Sequence, residues 1–127
     1  MESLLKAIIL DYYDCDKNLL KDIRFIEKAM LEAAEVMGAS VKTHSFHEFE
    51  PHGVSGAVII AESHLAIHTF PEYGFAAVTI ETCGNKINPW DAHFFLKEKF
   101  KAKLSNQSEI RRGLFDAPRG SMPHKPV

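Results

Sequence analysis

Apolar and polar positions alternate along this chain first as a strand would place them, then as a helix would. Residues 4–13, L-L-K-A-I-I-L-D-Y-Y, are rich in strand formers and too short for a convincing helix, so a first strand is expected, ended by Asp14-Cys15-Asp16. From Asp16, an N-cap by residue type, Leu19, Ile23, Ile26, Met30, Ala33 and Met37 recur at steps of three and four until Gly38, which suits the position just past a helix C-terminus. One helix is expected there. Residues 40–49, 55–61, 64–70 and 75–83 read as four short strands, separated by Pro51 and Gly53, by Glu62-Ser63, and by Pro71 and Gly74. A second helix opens at Asn88, with Pro89 in its first position, and runs through Trp90, Phe94, Phe95 and Phe100 to Leu104. After Ser105 the sequence is polar and Pro-containing. It reads as a loose peripheral segment, with residues 110–115 offering one further strand.

This order, with closely spaced strands, predicts an antiparallel sheet with helices on one face: an α+β two-layer sandwich. The 127 residues suffice for a single domain with its own core. Hydrophobic residues make up 46% and charged residues 25%, and the net charge of -2 leaves no basic footprint for nucleic acid. No apolar run reaches the ~18 residues of a membrane span, and no basic leader with a cleavage site opens the chain. A cytoplasmic protein with neither nucleic acid nor membrane as partner is expected. The two cysteines, Cys15 and Cys83, form no C-x-x-C pair, so neither a zinc site nor a disulfide framework is indicated.

Strand alternation distributes the candidate chemistry. Phe75, Ala77, Thr79, Glu81 and Cys83 share one face of their strand, and His64, Ala66, His68 and Phe70 share one face of theirs. If those faces coincide, they carry acid, imidazole and thiol together. Such a face is too apolar for bulk water and too polar for a dry core, so a second copy of the chain is expected over it, giving a four-layer αββα homodimer. Taken singly, a turn serine, a strand histidine and a lone cysteine are more often structural than catalytic. The residues alone leave a small α+β domain with a possible Cys/His site, for which a thiol hydrolase is one available chemistry.

Longer motifs narrow this. G-V-S-G at 53–56, A-E-S-H-L-A-I-H-T-F-P-E-Y-G at 61–74, T-C-G at 82–84 and N-P-W at 88–90 resemble the prokaryotic S-adenosylmethionine decarboxylases over residues 10–103. The resemblance implies a pyruvoyl enzyme of polyamine biosynthesis that cuts its own chain between Glu62 and Ser63, leaving a beta chain 1–62 and an alpha chain 63–127. Ser63 would become the covalent pyruvoyl cofactor, with no metal and no pyridoxal phosphate. In such processing the Ser63 hydroxyl attacks the preceding carbonyl, the resulting ester is lost by elimination of the Ser63 α-proton, and hydration of the dehydroalanine gives the ketone and ammonia. By the resemblance His68 removes that α-proton and Ser55 supports the intermediate. Cys83 acts later, returning a proton to the α-carbon after a substrate amine has condensed with the ketone as a Schiff base and carbon dioxide has left.

The resemblance also implies a small cationic amino-acid-type substrate, S-adenosylmethionine first, whose decarboxylated product is the aminopropyl donor for spermidine. Phe49 could stack on an adenine, Glu72 could bind ribose hydroxyls or a cation, and Phe70 stands on the same strand face as His68. The chain departs from the family pattern in carrying Leu5-Lys6-Ala7 where Gly-x-His is usual, and Thr79 and Glu81 where an aspartate and an aromatic are usual. Glu81 is two residues from Cys83, so their side chains stand ~7 Å apart on one face. A carboxylate there pairs best with an ammonium or guanidinium, which makes L-ornithine or L-arginine the rival substrate. A Cys83/His68 hydrolase and an inactive paralogue are the remaining alternatives.

Overall fold

The computed structural model describes residues 2–116. Ten elements follow in chain order: β1 (Glu2–Tyr13), α1 (Lys17–Leu20), α2 (Ile23–Val36), β2 (Ser40–Glu48), β3 (Val54–Ala61), β4 (Ser63–Phe70), a 3-10 turn (Pro71–Tyr73), β5 (Phe75–Cys83), α3 (Pro89–Lys99) and β6 (Leu104–Phe115). The strands form one six-stranded sheet in the order β2-β3-β4-β5-β1-β6, every neighbouring pair antiparallel. Among the described residues helices cover one face only, as the element order predicts.

Even-numbered positions of β1, β3 and β5, with Leu65 and Ile67 of β4, point at the helices. Ile8, Leu10, Tyr12, Val58, Leu65, Ile67 and Ile80 are fully buried there against Ile26, Met30 and Ala33 of α2 and Ala92 and Leu96 of α3. Burying a large aliphatic side chain contributes about 1.5–3 kcal/mol, so this layer carries most of the fold's stability. Thr69 ties the layer to the sheet: its hydroxyl donates to the Leu20 carbonyl at 2.8 Å and accepts from the Val54 N–H at 2.9 Å. Among the described residues the opposite face stays open, with Ile59, Phe70 and Ile110 roughly half-exposed.

Two expectations about the helices need correction. The helix predicted from Asp16 to Gly38 is two, because Asp22 interrupts it as a second cap: Asp16 accepts from the N–H groups of Asn18 and Leu19, and Asp22 from those of Arg24 and Phe25. Gly38 does close α2, at φ +87°. The second helix stops at Lys99 rather than Leu104. There Lys101 takes the left-handed position (φ +55°) that glycine usually fills, and the N–H groups of Lys101 and Ala102 bond back to the carbonyls of Glu98 and Lys97.

The segment after Ser105 differs from expectation in extent. The strand offered at 110–115 is present but begins at Leu104, as a twelve-residue edge strand, β6, paired with β1 from Tyr13↔Leu104 to Glu2↔Phe115. The rest of that polar stretch, 117–127, lies outside the described residues.

Candidate active site

β3 and β4 form a hairpin whose register pairs Ile60 with Ser63, so its loop is only Ala61 and Glu62. The Glu62–Ser63 bond therefore leaves the tightest turn of the sheet. Ser63 sits at φ +142°, a conformation that residues other than glycine hold at a cost of about 1–3 kcal/mol and that surrounding structure must enforce. β5 supplies the neighbour. Ser63 pairs with Thr82, and the thiol of the next residue, Cys83, donates a hydrogen bond to the Glu62 carbonyl oxygen at 3.3 Å. Cys15 is buried elsewhere, and burial, with the nearby Asp14 charge, pushes its thiol up to about 11. The two thiols thus differ in kind: Cys15 packs as an inert hydrophobe, whereas Cys83 meets the backbone at the Ser63 junction.

Ser55 and His68 also meet. They are register partners on β3 and β4, and Ser55 Oγ lies 2.7 Å from His68 Nδ1. Gly56 beside them is required by packing, since a Cβ there would collide with the Phe46 ring. Both side chains stand on the open face, as strand alternation predicts.

The expected single cluster is nevertheless two. His68 lies five positions along β4 from Ser63, which is about 17 Å at the antiparallel rise per residue. His68 pairs with Ala77, six positions along β5 from Cys83, or about 20 Å. One end of the open face therefore holds Glu62, Ser63 and Cys83, and the other holds Ser55 and His68. The residues expected to bind substrate divide the same way. Phe49 (48% exposed, its ring 4.6 Å from that of His47), Phe70 and Glu72 lie at the Ser55/His68 end, Glu72 with His52 at 3.6 Å. Glu81 lies at the Ser63/Cys83 end.

Glu81 is not a solvated edge acid. It is 7% exposed, and Nη1 of Arg112 on β6 donates to both its carboxylate oxygens, at 3.0 and 3.2 Å. Arg112 lies in the 110–115 stretch expected as a strand, but its pairing with Glu81 had no signal in the sequence. Its partner is set by the pairing of β6 with β1, and the polar run Ser105–Glu109 conceals where that strand begins. Among the described residues no group of three or more His, Cys, Asp or Glu could hold a metal ion, and no helix is long and apolar enough to cross a membrane.

A sheet with one helix-covered face, and with hydroxyl, imidazole and thiol spread over the other, defines a two-layer α+β domain with a candidate site on its open face. The family model for S-adenosylmethionine decarboxylase matches residues 6–113. S-adenosylmethionine decarboxylase proenzymes resemble the chain closely: that of Acetivibrio thermocellus is 51% identical over 93% of this chain and 95% of the relative, and that of Acidithiobacillus ferrooxidans 53% identical over 91% and 87%. The crystal structure of the adenosylmethionine decarboxylase from Aquifex aeolicus superposes with a TM-score of 0.85 at 25% identity, covering 98% of this chain and 100% of that one. The chain belongs to the S-adenosylmethionine decarboxylase family, and the class of its enzyme is carboxy-lyase.

Proposed function

We propose that this chain is a proenzyme that cuts itself between Glu62 and Ser63, turns Ser63 into a pyruvoyl group, and then decarboxylates S-adenosylmethionine. The observation that carries the reading is the convergence on one backbone bond. A two-residue hairpin presents it, Ser63 beyond it has a positive φ, and the Cys83 thiol already donates to its carbonyl oxygen. Attack of the Ser63 hydroxyl on the Glu62 carbonyl puts negative charge on that oxygen, and a donor placed there before the charge develops lowers the barrier. Glu62, Ser63 and Cys83 therefore fit the making of a pyruvoyl group. Once formed, that group supplies the electron sink for the charge left when carbon dioxide departs. Cys83, at the same junction, then holds the proton that returns to the substrate carbon.

His68 removes the Ser63 α-proton, but not from within its own chain. Proton transfer needs contact at ~3 Å, far less than the separation along β4. A second copy, turned by a two-fold axis and packed open face to open face, sets its Ser55 and His68 against the first copy's Ser63 and Cys83. It also brings Phe49, Phe70 and Glu72 into the same pocket, where an aromatic face and an acid suit the adenine and ribose. The half-exposed apolar residues of the open face are what such a partner would cover. Neither cysteine is in a disulfide, which suits the cytoplasm.

The thiol hydrolase reading loses support, because the Cys83 thiol is directed at the Glu62 carbonyl of the bond to be cut and the relatives are decarboxylase proenzymes. The test is mass spectrometry of the purified protein. Two fragments, 1–62 and a pyruvoyl-ended 63–127, are expected, with release of carbon dioxide from S-adenosylmethionine; Ser63→Ala should stay whole and inactive. A wild-type chain that remains intact and releases no carbon dioxide overturns the proposal.

A further inference from the structure

Glu81 is the one acid that strand alternation places beside Cys83, and an unengaged carboxylate at that position would favour an amine-bearing substrate. It is engaged. Leu5 of β1 is the register partner of both Cys83 and Arg112, while Ala7 pairs with both Glu81 and Ile110. The Arg112 side chain thus crosses β1 diagonally, past a residue no larger than alanine, to reach Glu81. Ala7 is only 4% exposed although it belongs to the face without helices. The Glu81 side chain is 9% exposed and that of Arg112 59%, so the carboxylate lies in the sheet surface and the guanidinium caps it from the open side. His64, the register partner of Glu81 on β4, flanks the pair. The Lys6–Glu109 pair belongs to the helix-side face of the sheet and His52–Glu72 to the far end, so neither competes.

We infer that Arg112 determines substrate choice at this site: by neutralising Glu81 it denies that carboxylate to a substrate ammonium or guanidinium and leaves a pocket suited to a sulfonium. The inference rests on the proposed decarboxylase function. An ammonium is a compact, strongly hydrated charge with three hydrogen-bond donors, and it enters a dry site only where acceptors replace its water. Here both acceptor oxygens already receive an N–H from Arg112, so neither is left to replace the water an ammonium would shed. A sulfonium carries three carbon substituents and donates no hydrogen bond, so it needs no acceptor in compensation. The acid that would recruit ornithine or arginine is thereby converted into half of a neutral pair.

The experiment measures kcat/KM by carbon dioxide release for S-adenosylmethionine, L-ornithine and L-norleucine, the last matching ornithine in side-chain length without its charge. Wild-type enzyme, Arg112→Met and the double variant Glu81→Gln/Arg112→Met are compared. Freeing Glu81 in Arg112→Met should raise the ornithine to S-adenosylmethionine ratio about tenfold or more, equivalent to ~1.4 kcal/mol, with the norleucine ratio unmoved. The double variant, neutral again, should return to the wild-type ratio. A ratio in Arg112→Met within about twofold of wild type overturns the inference, as does an equal rise in the norleucine ratio. Should Arg112→Met fail to fold or cleave itself, Glu81→Gln provides the second reading. It leaves the Arg112 charge unopposed, so KM for S-adenosylmethionine should rise while that for norleucine holds, and an unchanged KM overturns the inference. Wild-type enzyme inert toward S-adenosylmethionine would instead overturn the proposed function, a distinct failure.

Discussion

A complementation experiment tests whether two copies share each site. The perturbations are Ser63→Ala in one tagged chain and His68→Ala in another. Within one chain the α-carbon of residue 63 and the imidazole of residue 68 are five strand positions apart, about 17 Å, against the ~3 Å that proton transfer requires. Each variant alone should therefore fail to make the pyruvoyl-ended fragment, the first for want of the hydroxyl and the second for want of the base. In a co-expressed equal mixture, random two-fold pairing makes about half of the pairs mixed. Each mixed pair contains one intact constellation: Ser63 of the His68→Ala chain facing His68 of the Ser63→Ala chain. Hence about one chain in four should be processed, all of them carrying the His68→Ala tag. Mass spectrometry of the 63–127 fragment provides the count. If tag capture recovers mixed pairs and no pyruvoyl-ended fragment forms, or if the fragment carries the other tag, the shared-site argument is refuted.

Other consequences are checked more simply. Cys83→Ala should slow self-cleavage by up to ~10²-fold, because a donor to the Glu62 carbonyl is lost, and should also impair turnover once cleaved; a time course on gels set beside carbon dioxide release separates the two. Ser55→Ala removes the 2.7 Å bond that orients His68, worth ~1 kcal/mol, and should slow cleavage by roughly fivefold without preventing it. Burial, with the Lys97 charge, holds His93 below its ordinary value of 6.5, and Tyr12 Oη lies 2.9 Å from its Nδ1. The unfolded chain therefore takes up this proton more readily, so the contribution is complete above that value and fades as pH falls through the folded one. Urea midpoints at about pH 8 and about pH 5 should show a loss in acid that His93→Gln diminishes.

The layer that makes the core was legible because its period is plain. β1 to β5, the cap at Asp16 and the stop at Gly38 all follow from alternation, residue type and glycine. What failed did so where a local signal ran against the wider pattern or a residue stood outside its usual role. Asp22 caps a second helix inside an unbroken apolar period, and Lys101 occupies a left-handed position without being glycine, so the end of α3 was placed too late. The first half of β6 was hidden because Ser105–Glu109 keeps no apolar alternation, whereas 110–115 read as a strand. The Arg112–Glu81 pair was not legible for another reason: a side chain reaching across an intervening strand is fixed by register, which the sequence does not display. The division of the site into two ends was concealed similarly. Alternation places residues on a face but is silent about their distance along it, and five residues of one motif read as neighbours.

The strand order has a last consequence for what a cut at Glu62–Ser63 would produce. The piece before the cut owns β1, β2 and β3, and the piece after it owns β4, β5 and β6, yet β1 lies between β5 and β6. The fragments would be laced together along three seams, β3 to β4, β5 to β1 and β1 to β6. Neither could leave without dismantling the sheet, so the nicked protein would travel as one particle under native conditions. Once melted it would have to find its other half by diffusion, and its recovery would then depend on concentration in a way that the uncut chain's does not.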